Sequence, residues 1–301
     1  MIHPSPTSFP QQTNPLADLL RRHVPEEGPV ETLVPGVMLY RADATMPRTP
    51  VLYEPWLLFV VQGEKRGYIG THAFDYSALC HLAFSVPMPM EAEILQASPE
   101  QPFLGLGISI EPAEIGDLFI KSGLDTAVLP EKAEPIHASA LPDSLSDALI
   151  RLIRTFDSPA DARVLGPLIR REILYRVMLG EQAPGLLAVV QRKGDLRRIG
   201  DIMRHIHDNC AAPLTTAEMS RMAGLSKTTL HESFKTVTSL TPLQYVKSIR
   251  LHQARALILN EGLSASAAGF EVGYASASQF SREFKRFFGM PPSQVTSVEL
   301  T

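Results

Sequence analysis

GYASASQFSREFKRFFGMPP, residues 273–292, decides how this chain is read, because the same unit stands earlier as GLSKTTLHESFKTVTSLTP, residues 224–242. Each copy opens on a glycine followed by Leu or Tyr, has a serine two or three positions after the glycine, and places an apolar residue four positions before a Phe-Lys pair. Each reaches a proline seven residues after that lysine. The layout is that of a helix-turn-helix. A first helix stops at Gly224 or Gly273, where a tight turn favours positive φ, and Ser226 or Ser276 offers a side-chain cap to a second helix. In that second helix Leu230 and Phe234, or Phe280 and Phe284, are spaced i,i+4 and form one buried stripe. Lys227, Thr228, His231, Glu232 and Lys235 lie off the stripe in copy one. Ser278, Ser281, Arg282, Lys285 and Arg286 do so in copy two. These are the hydrogen-bonding and cationic side chains that a major-groove helix turns toward bases and phosphates.

The segment between the copies gives a reason for having two. A helix over 242–260 would be about 27 Å long at ~1.5 Å per residue. With the widths of the flanking units added, it sets the two second helices about one DNA turn, ~34–36 Å, apart. One chain then enters two successive major grooves. The charge balance agrees. Residues 196–301 hold 12 Lys+Arg against 8 Asp+Glu, whereas residues 1–195 hold 16 against 24. A basic tail with an anionic partner is therefore joined to an acidic domain with a different task.

A length of 301 residues, 45% apolar and 20% charged, fits two globular domains. No run approaches the ~18 apolar residues of a membrane span. The polar, proline-rich start lacks the features of a signal peptide. Residues 1–27 are accordingly expected to form a disordered or loosely ordered leader, and the protein is placed in the cytoplasm. Cys80 and Cys210 fall in different domains, which argues against a structural disulfide.

From Val30 to about Glu111, short apolar or alternating runs such as VMLYRA, WLLFVVQG and FLGLGISI are separated by turn residues, as in a β-sandwich or barrel. Prolines at 35, 47, 50, 55, 87 and 89 suit edges and turns. After Pro112 the period becomes helical. Leu145, Ala148, Leu149, Leu152 and Ile153 mark one stripe; Leu165, Leu168, Ile169, Ile173, Leu174 and Val177 mark another. The expected fold class is α+β in two domains. A β-barrel over 28–135 is followed by a helical connector over 136–195, suited to packing or dimerisation, and an all-α domain over 196–301 with two helix-turn-helix units.

Residues 196–301 resemble the DNA-binding domain of AraC/XylS-type transcription regulators, above all in GFEVGYASASQFSREFKRFFGMPPSQ and in the linker LTPLQYVKSIRLHQARALIL. The resemblance puts base contacts on Thr228, His231 and Glu232 in copy one and on Ser278, Ser281 and Arg282 in copy two. It implies a promoter site in double-stranded DNA as partner, a homodimer, and RNA polymerase as a further partner. Two departures stand out. Glu232 replaces a frequent Arg or polar donor, so that contact reads cytosine or is lost. Ala268-Gly269 replaces the usual Ile-Ala, removing core volume and adding about 1 kcal/mol of helix-propensity cost. A looser second unit, more dependent on DNA, is the expectation.

The first half, through PGVMLYRADAT, PVLYEPWLLFVVQGEKRGYIG and SVPMPMEAEILQASPEQPFLGL, resembles the cupin-like sensor domain of a subgroup that includes aldehyde-responsive members. That implies a small-molecule effector, with Tyr53, Trp56, Tyr76, Cys80, His81 and Met88 as candidate contacts. Aromatic and Met side chains in a small barrel also serve as plain core. Cys80 beside His81 would make a thiol sensor if its pKa were lowered, although adjacent strand residues face opposite sides. A metal-dependent cupin enzyme needs clustered histidines. His72 and His81 are isolated, and His205-x-His207 sits on a helix, where i,i+2 side chains diverge. No catalytic residue, metal or cofactor is assigned. The competing readings are a small-molecule-binding or enzymatic cupin with an incidental helical tail, and a regulator controlled by protein partners alone.

Overall fold

The computed structural model describes residues 14–70, 72–84, 86–124, 138–183, 186 and 195–295. Its N-terminal half holds ten strands in two sheets: β1 (Gly28–Glu31), β2 (Val37–Ala42), β3 (Met46–Tyr53), β4 (Trp56–Gln62), β5 (Glu64–Ile69), β6 (His72–Ser77), β7 (Cys80–Phe84), β8 (Met88–Gln96), β9 (Phe103–Ser109) and β10 (Ser139–Ala140). A six-stranded sheet has the order β1-β2-β9-β4-β7-β10, and a four-stranded sheet the order β3-β8-β5-β6. All pairings among the described residues are antiparallel.

The central strands β4 and β9 are apolar on both faces because both faces are covered. Leu57, Phe59, Val61, Leu104, Leu106 and Ile108 meet helices on one side. Val60 and Phe103, with Leu82 and Phe84 from β7, meet the four-stranded sheet on the other. The alternation is the period of two that a pleated strand imposes. Pro47 and Pro50 lie in the edge strand β3, as expected. Pro89 does not sit at an edge: it lies in β8, between β3 and β5. There it pairs with Leu52 of β3, while the pairing with β5 begins only at Glu91, so no ladder bond to β5 is lost.

The leader reading is corrected for the part that is described. Pro15–His23 forms a helix, α1, capped by the Asn14 side chain, which accepts from the backbone of Leu16 and Ala17 and donates to the Val61 carbonyl. Leu16, Leu20 and Val24 are buried in the core over the six-stranded sheet. The helices α2 (Pro112–Ser122), α3 (Asp143–Arg154), α4 (Pro159–Val164) and α5 (Gly166–Met178) cover the same face. The connector thus shares one core with the sheet. Arg170 of α5 ties it down, donating to Glu114 of α2 at 2.6 Å and to the Ser109 carbonyl at 2.8 Å.

All five apolar residues expected in the first connector stripe are buried. The second stripe divides. Ile173, Leu174 and Val177 are buried, but the helix is interrupted between α4 and α5, and Leu165 and Leu168 are 45% and 63% exposed. Pro167, in the first turn of α5, has no N–H to continue the ladder from α4, and Gly166 beside it lies where a Cβ would come within 2.4 Å of Val34.

The C-terminal half is helical: α6 (Asp195–Asp208), α7 (Thr216–Ala223), α8 (Lys227–Thr238), α9 (Pro242–Glu261), α10 (Ala265–Glu271) and α11 (Ala277–Phe288). Ser226 and Ser276 cap α8 and α11. Gly224 and Gly273 have φ of +61° and +86°. Leu230, Phe234, Phe280 and Phe284 have no exposed surface and join one core with Tyr245 and Ile249 of α9.

Candidate functional site

Two sites take shape, one on the helical half and one between the halves. Helices α7–α8 and α10–α11 each make a helix-turn-helix, and the 20 residues of α9 join them, a span of about 30 Å. Lys227, Thr228, His231, Glu232 and Lys235 are all exposed on α8. On α11 Ser278, Arg282, Lys285 and Arg286 are exposed or nearly so, and Ser281 is half-buried. Each set therefore forms the free face of a helix whose other face is core. The remaining acid of α11, Glu283, is turned away. It accepts from Tyr274 Oη at 3.0 Å and pairs with Lys247 of α9 at 2.9 Å. That leaves the outward face of α11 with Arg282, Lys285 and Arg286 and no carboxylate.

The premise of a volume lost at Ala268-Gly269 is overturned by the packing. Both residues are buried, and a Cβ on Gly269 would lie 2.8 Å from Phe280 Cγ. The space vacated by the missing side chain is filled by the Phe280 ring.

Between the halves lies a cavity of about 410 Å³. Tyr40, Arg41, Tyr53 and Phe103 line it from the barrel, with Lys65 of β5 among them. His207 of α6 and His252 and Arg255 of α9 line it from the helical domain. Arg41 is held by Asp43 at 2.7 Å and by the Val24 carbonyl at 3.1 Å. Glu54 pairs with His207 Nε2 at 2.9 Å across the domain boundary. This carboxylate raises the His207 pKa above its ordinary value. His252 is wedged edge-on against Phe287 and Phe288, both at 5.3 Å, and burial lowers its pKa to about 3. Desolvation lowers the Lys65 ammonium to about 8. Its Nζ lies 4.5 Å from the Phe103 ring, with no carboxylate or acceptor within hydrogen-bonding reach among the described residues.

Of the six effector candidates, only Tyr53 lines this cavity. Tyr76 supports it from behind through a 2.9 Å hydroxyl–hydroxyl bond, and burial raises the pKa of both phenols. Trp56 packs over Gly107, where a Cβ would come within 2.9 Å of the indole. Met88 belongs to the inter-sheet core. Cys80, a free and half-buried thiol, shares the inter-sheet side with Leu82, whereas His81 is buried on the opposite face against Phe59. The strand pleat therefore separates the thiol from the imidazole. Among the described residues no group of three or more His, Cys, Asp or Glu side chains is placed to hold a metal. No helix among them is long and apolar enough to cross a membrane.

The sequence reading missed Lys65, and a signal for it was present. In EKRGYI, Lys65 shares a face with Gly67 and Ile69 by the period of two, and Gly67 is buried. The lysine therefore points the way of the core.

A two-sheet domain followed by paired helix-turn-helix units defines a regulator of the DNA-binding class, and the comparisons with known proteins sharpen that. Residues 33–184 match the AraC-type transcriptional regulator N-terminus, and residues 219–297 match a helix-turn-helix domain. The first match covers half of the chain, which belongs to the AraC-type transcriptional regulators. The matches do not distinguish an aldehyde-responsive subgroup. The HTH-type transcriptional activator RhaS of Escherichia fergusonii is 28% identical over 145 residues, 48% of this chain and 52% of that protein. The thermoregulatory protein LcrF of Yersinia pestis is 24% identical over 199 residues, 66% of this chain and 72% of that one. The chain thus spans about half the length of the RhaS relative. A point variant of ToxT from Vibrio cholerae, in its apo form, has the same fold, with a TM-score of 0.63 at 12% identity, covering 90% of this chain and 100% of that one. Wild-type ToxT with an unsaturated fatty acid bound superposes with a TM-score of 0.57 at 11% identity, covering 89% and 95%.

Proposed function

We propose that this protein regulates transcription by binding a specific duplex DNA site through α8 and α11, under the control of a small effector held between the barrel and α9. The carrying observation is the pair of helices with exposed polar faces joined by one helix of about 30 Å, near the ~34–36 Å repeat of DNA. Thr228, His231 and Glu232 read bases in one groove, and Ser278, Ser281 and Arg282 in the next. Lys227, Lys235, Lys285 and Arg286 hold phosphates. The barrel senses and does no catalysis, the protein acts in the cytoplasm, and RNA polymerase is the expected partner of the DNA-bound form. The effector reading is supported by a cavity with walls from both domains and by the ligand seen in ToxT.

The test is binding to the chain's own upstream DNA, followed by anisotropy at several salt concentrations. Specific affinity falls as salt rises through counterion release. Arg282→Ala costs about 1–3 kcal/mol on the specific site and leaves nonspecific binding nearly unchanged. Equal binding to cognate and random DNA would overturn the reading.

The homodimer is assigned to α5. Leu165, Leu168, Tyr175 and Leu179 are 36–63% exposed, at spacings of three, seven and four along the chain, which form one helical stripe. Leu168→Glu is expected to shift the protein to monomer by light scattering, with DNA affinity reduced. A monomeric wild type would remove the dimer.

A further inference from the structure

The two helix-turn-helix units meet where the turn of the second rests on the chain that leads into the first. Residues 209–215 run from the end of α6 to Thr215, the cap of α7. Gly273, the turn glycine of the second unit, lies against this segment. At its φ of +86° a Cβ would fall 2.4 Å from the Ala211 carbonyl oxygen and 2.9 Å from Ala211 Cα. Both are main-chain atoms, which cannot swing aside as the end of a side chain can. Gly224, the matching glycine of the first unit, is also left-handed, at φ +61°, but a Cβ there would meet nothing within 4 Å among the described residues. Close approach is demanded in one turn and not in the other.

The segment under Gly273 is fixed from the linker helix. Arg250, near the middle of α9, donates from Nε to the Cys210 carbonyl at 2.7 Å and from Nη2 to the Ala212 carbonyl at 2.9 Å. Its rigid fork thus holds the carbonyls on either side of Ala211 with charge-assisted bonds. Three residues on, Gln253 donates to the His207 carbonyl at 2.6 Å and accepts from Cys210 Sγ at 2.5 Å. Helix α9 therefore holds both the end of α6 and the segment after it, and the second unit rests on the residue that Arg250 brackets. On the reading of α8 and α11 as the two base-reading helices, we infer that Arg250 and Gly273 determine the half-site spacing the protein accepts. Arg250 is then a positioning residue: it builds the stop against which the second unit is set relative to the first. One base pair more or less between half-sites moves the second by ~3.4 Å along the duplex. It also turns that half-site by about 35°, at ~10–10.5 base pairs per turn. A pair of helices fixed by such a stop does not follow that displacement.

Selection by the full-length protein from a pool of random duplexes supplies the probe, and the wild type is expected to enrich two half-sites at one separation. Anisotropy then compares that duplex with versions one base pair longer or shorter between the half-sites. The wild type should lose about tenfold or more in affinity on either. Arg250→Met, which keeps the stem and removes the fork, is expected to bind the selected duplex more weakly and to lose only about threefold or less on the altered ones. Arg250→Lys keeps the charge but cannot bridge two carbonyls in one plane, and should behave in the same way. Gly273→Ala should lessen the spacing penalty too, whereas Gly224→Ala, with the same backbone strain and no clash, keeps it. A general loss of stability would weaken all three duplexes in parallel and leave their ratio unchanged. Circular dichroism certifies the fold of each variant, and an Arg250→Met that does not fold leaves the decision to Gly273→Ala. A wild-type penalty kept by folded Arg250→Met overturns the role of Arg250. One kept by Gly273→Ala, or lost in Gly224→Ala, overturns the stop; both results leave the two-groove reading standing. If the wild type enriches no pair of half-sites, that reading falls and this inference with it.

Discussion

The two helix-turn-helix units are copies in sequence, but they are held in different ways. The first leans on the barrel. Its Phe234 packs edge-on against Tyr245 at 5.5 Å, and the Tyr245 hydroxyl, fully buried, donates to the Pro87 carbonyl at 2.7 Å. Val237 of α8 contacts the inter-sheet core as well as its own. Ser239, at φ +58°, lies against Gly70, where a Cβ would come within 2.5 Å. The second unit stands on its own column of rings, Tyr274, Phe280, Phe284 and Phe288, spaced 5.3, 5.4 and 4.5 Å apart. Glu283 and Lys247 tie it to α9. β3 comes alongside α11, yet no hydrogen bond joins them among the described residues. The difference assigns the two units different parts. The second is held chiefly by its own ring column and α9, and the first also by a hydrogen bond through Tyr245 and by Val237 in the inter-sheet core.

The largest effect that breaks the symmetry is expected at one matched pair of positions, Gly269 in the second unit and Ser220 in the first, each four residues before the glycine that ends its helix. Propensity alone has Gly269→Ala stabilise the helix by about 1 kcal/mol. Contact with Phe280 at 2.8 Å opposes it with an overpacking cost of about 1–3 kcal/mol, so the expected outcome is a net loss of up to about 2 kcal/mol. At Ser220 the buried hydroxyl finds no partner among the described residues, so Ser220→Ala is expected to be neutral or stabilising by up to about 1 kcal/mol. Denaturant unfolding of both variants checks the pair, and a stabilised Gly269→Ala would show that Phe280 can yield.

That reversal also marks the limit of what was legible in the chain. The repeat, its caps and its buried stripes are local patterns, and Ser226, Ser276, Leu230, Phe234, Phe280 and Phe284 all stand where spacing put them. The first connector stripe was equally legible. What failed was non-local. Whether Gly269 leaves a hole depends on a ring eleven residues away, and Lys65 shares a cavity with a helix nearly two hundred residues on. The helix α1 was missed for another reason. Composition of the first 27 residues outweighed a local signal, the Asn14 cap before Pro15, Leu16 and Leu20. Tyr76 and Met88 have the aromatic and sulfur side chains of a ligand site, yet the two sheets use them as core.

A second break in the comparison concerns docking. Tyr245→Phe removes a buried hydroxyl and leaves the Pro87 carbonyl without its donor, a cost of about 1–3 kcal/mol. Part of that cost falls only on the docked state, so the first unit is expected to be freer. Hydrogen exchange should then rise at the start of β8 and along α9, and affinity for the specific DNA site should rise too, whereas Gly269→Ala lowers it. An unchanged DNA affinity with faster exchange would separate docking from control.

The smallest effect is a pH dependence of the same docking, and its sign follows from His207. Glu54, the residue after β3, raises its pKa, Asp208 adds to this, and desolvation opposes. The groups around the pair are Glu54 itself, Asp208 on α6 and Tyr245 on α9, with His252 and Arg255 lining the same cavity. A histidine whose docked pKa lies above its ordinary value stabilises docking fully below about 6.5, and the contribution is lost as pH rises through the raised value. The pair is partly exposed, with side chains 25% and 40% accessible, so the effect is about 1 kcal/mol or less. Limited proteolysis of the domain boundary between about pH 6 and 8.5 should show faster cleavage at the higher pH, and His207→Gln should flatten the profile. Because His252 stays neutral throughout this range, its pKa being about 3, it contributes no slope of its own. A profile that keeps its slope in His207→Gln would move the titrating group elsewhere and leave the first unit held by Tyr245, Val237 and the Ser239–Gly70 contact.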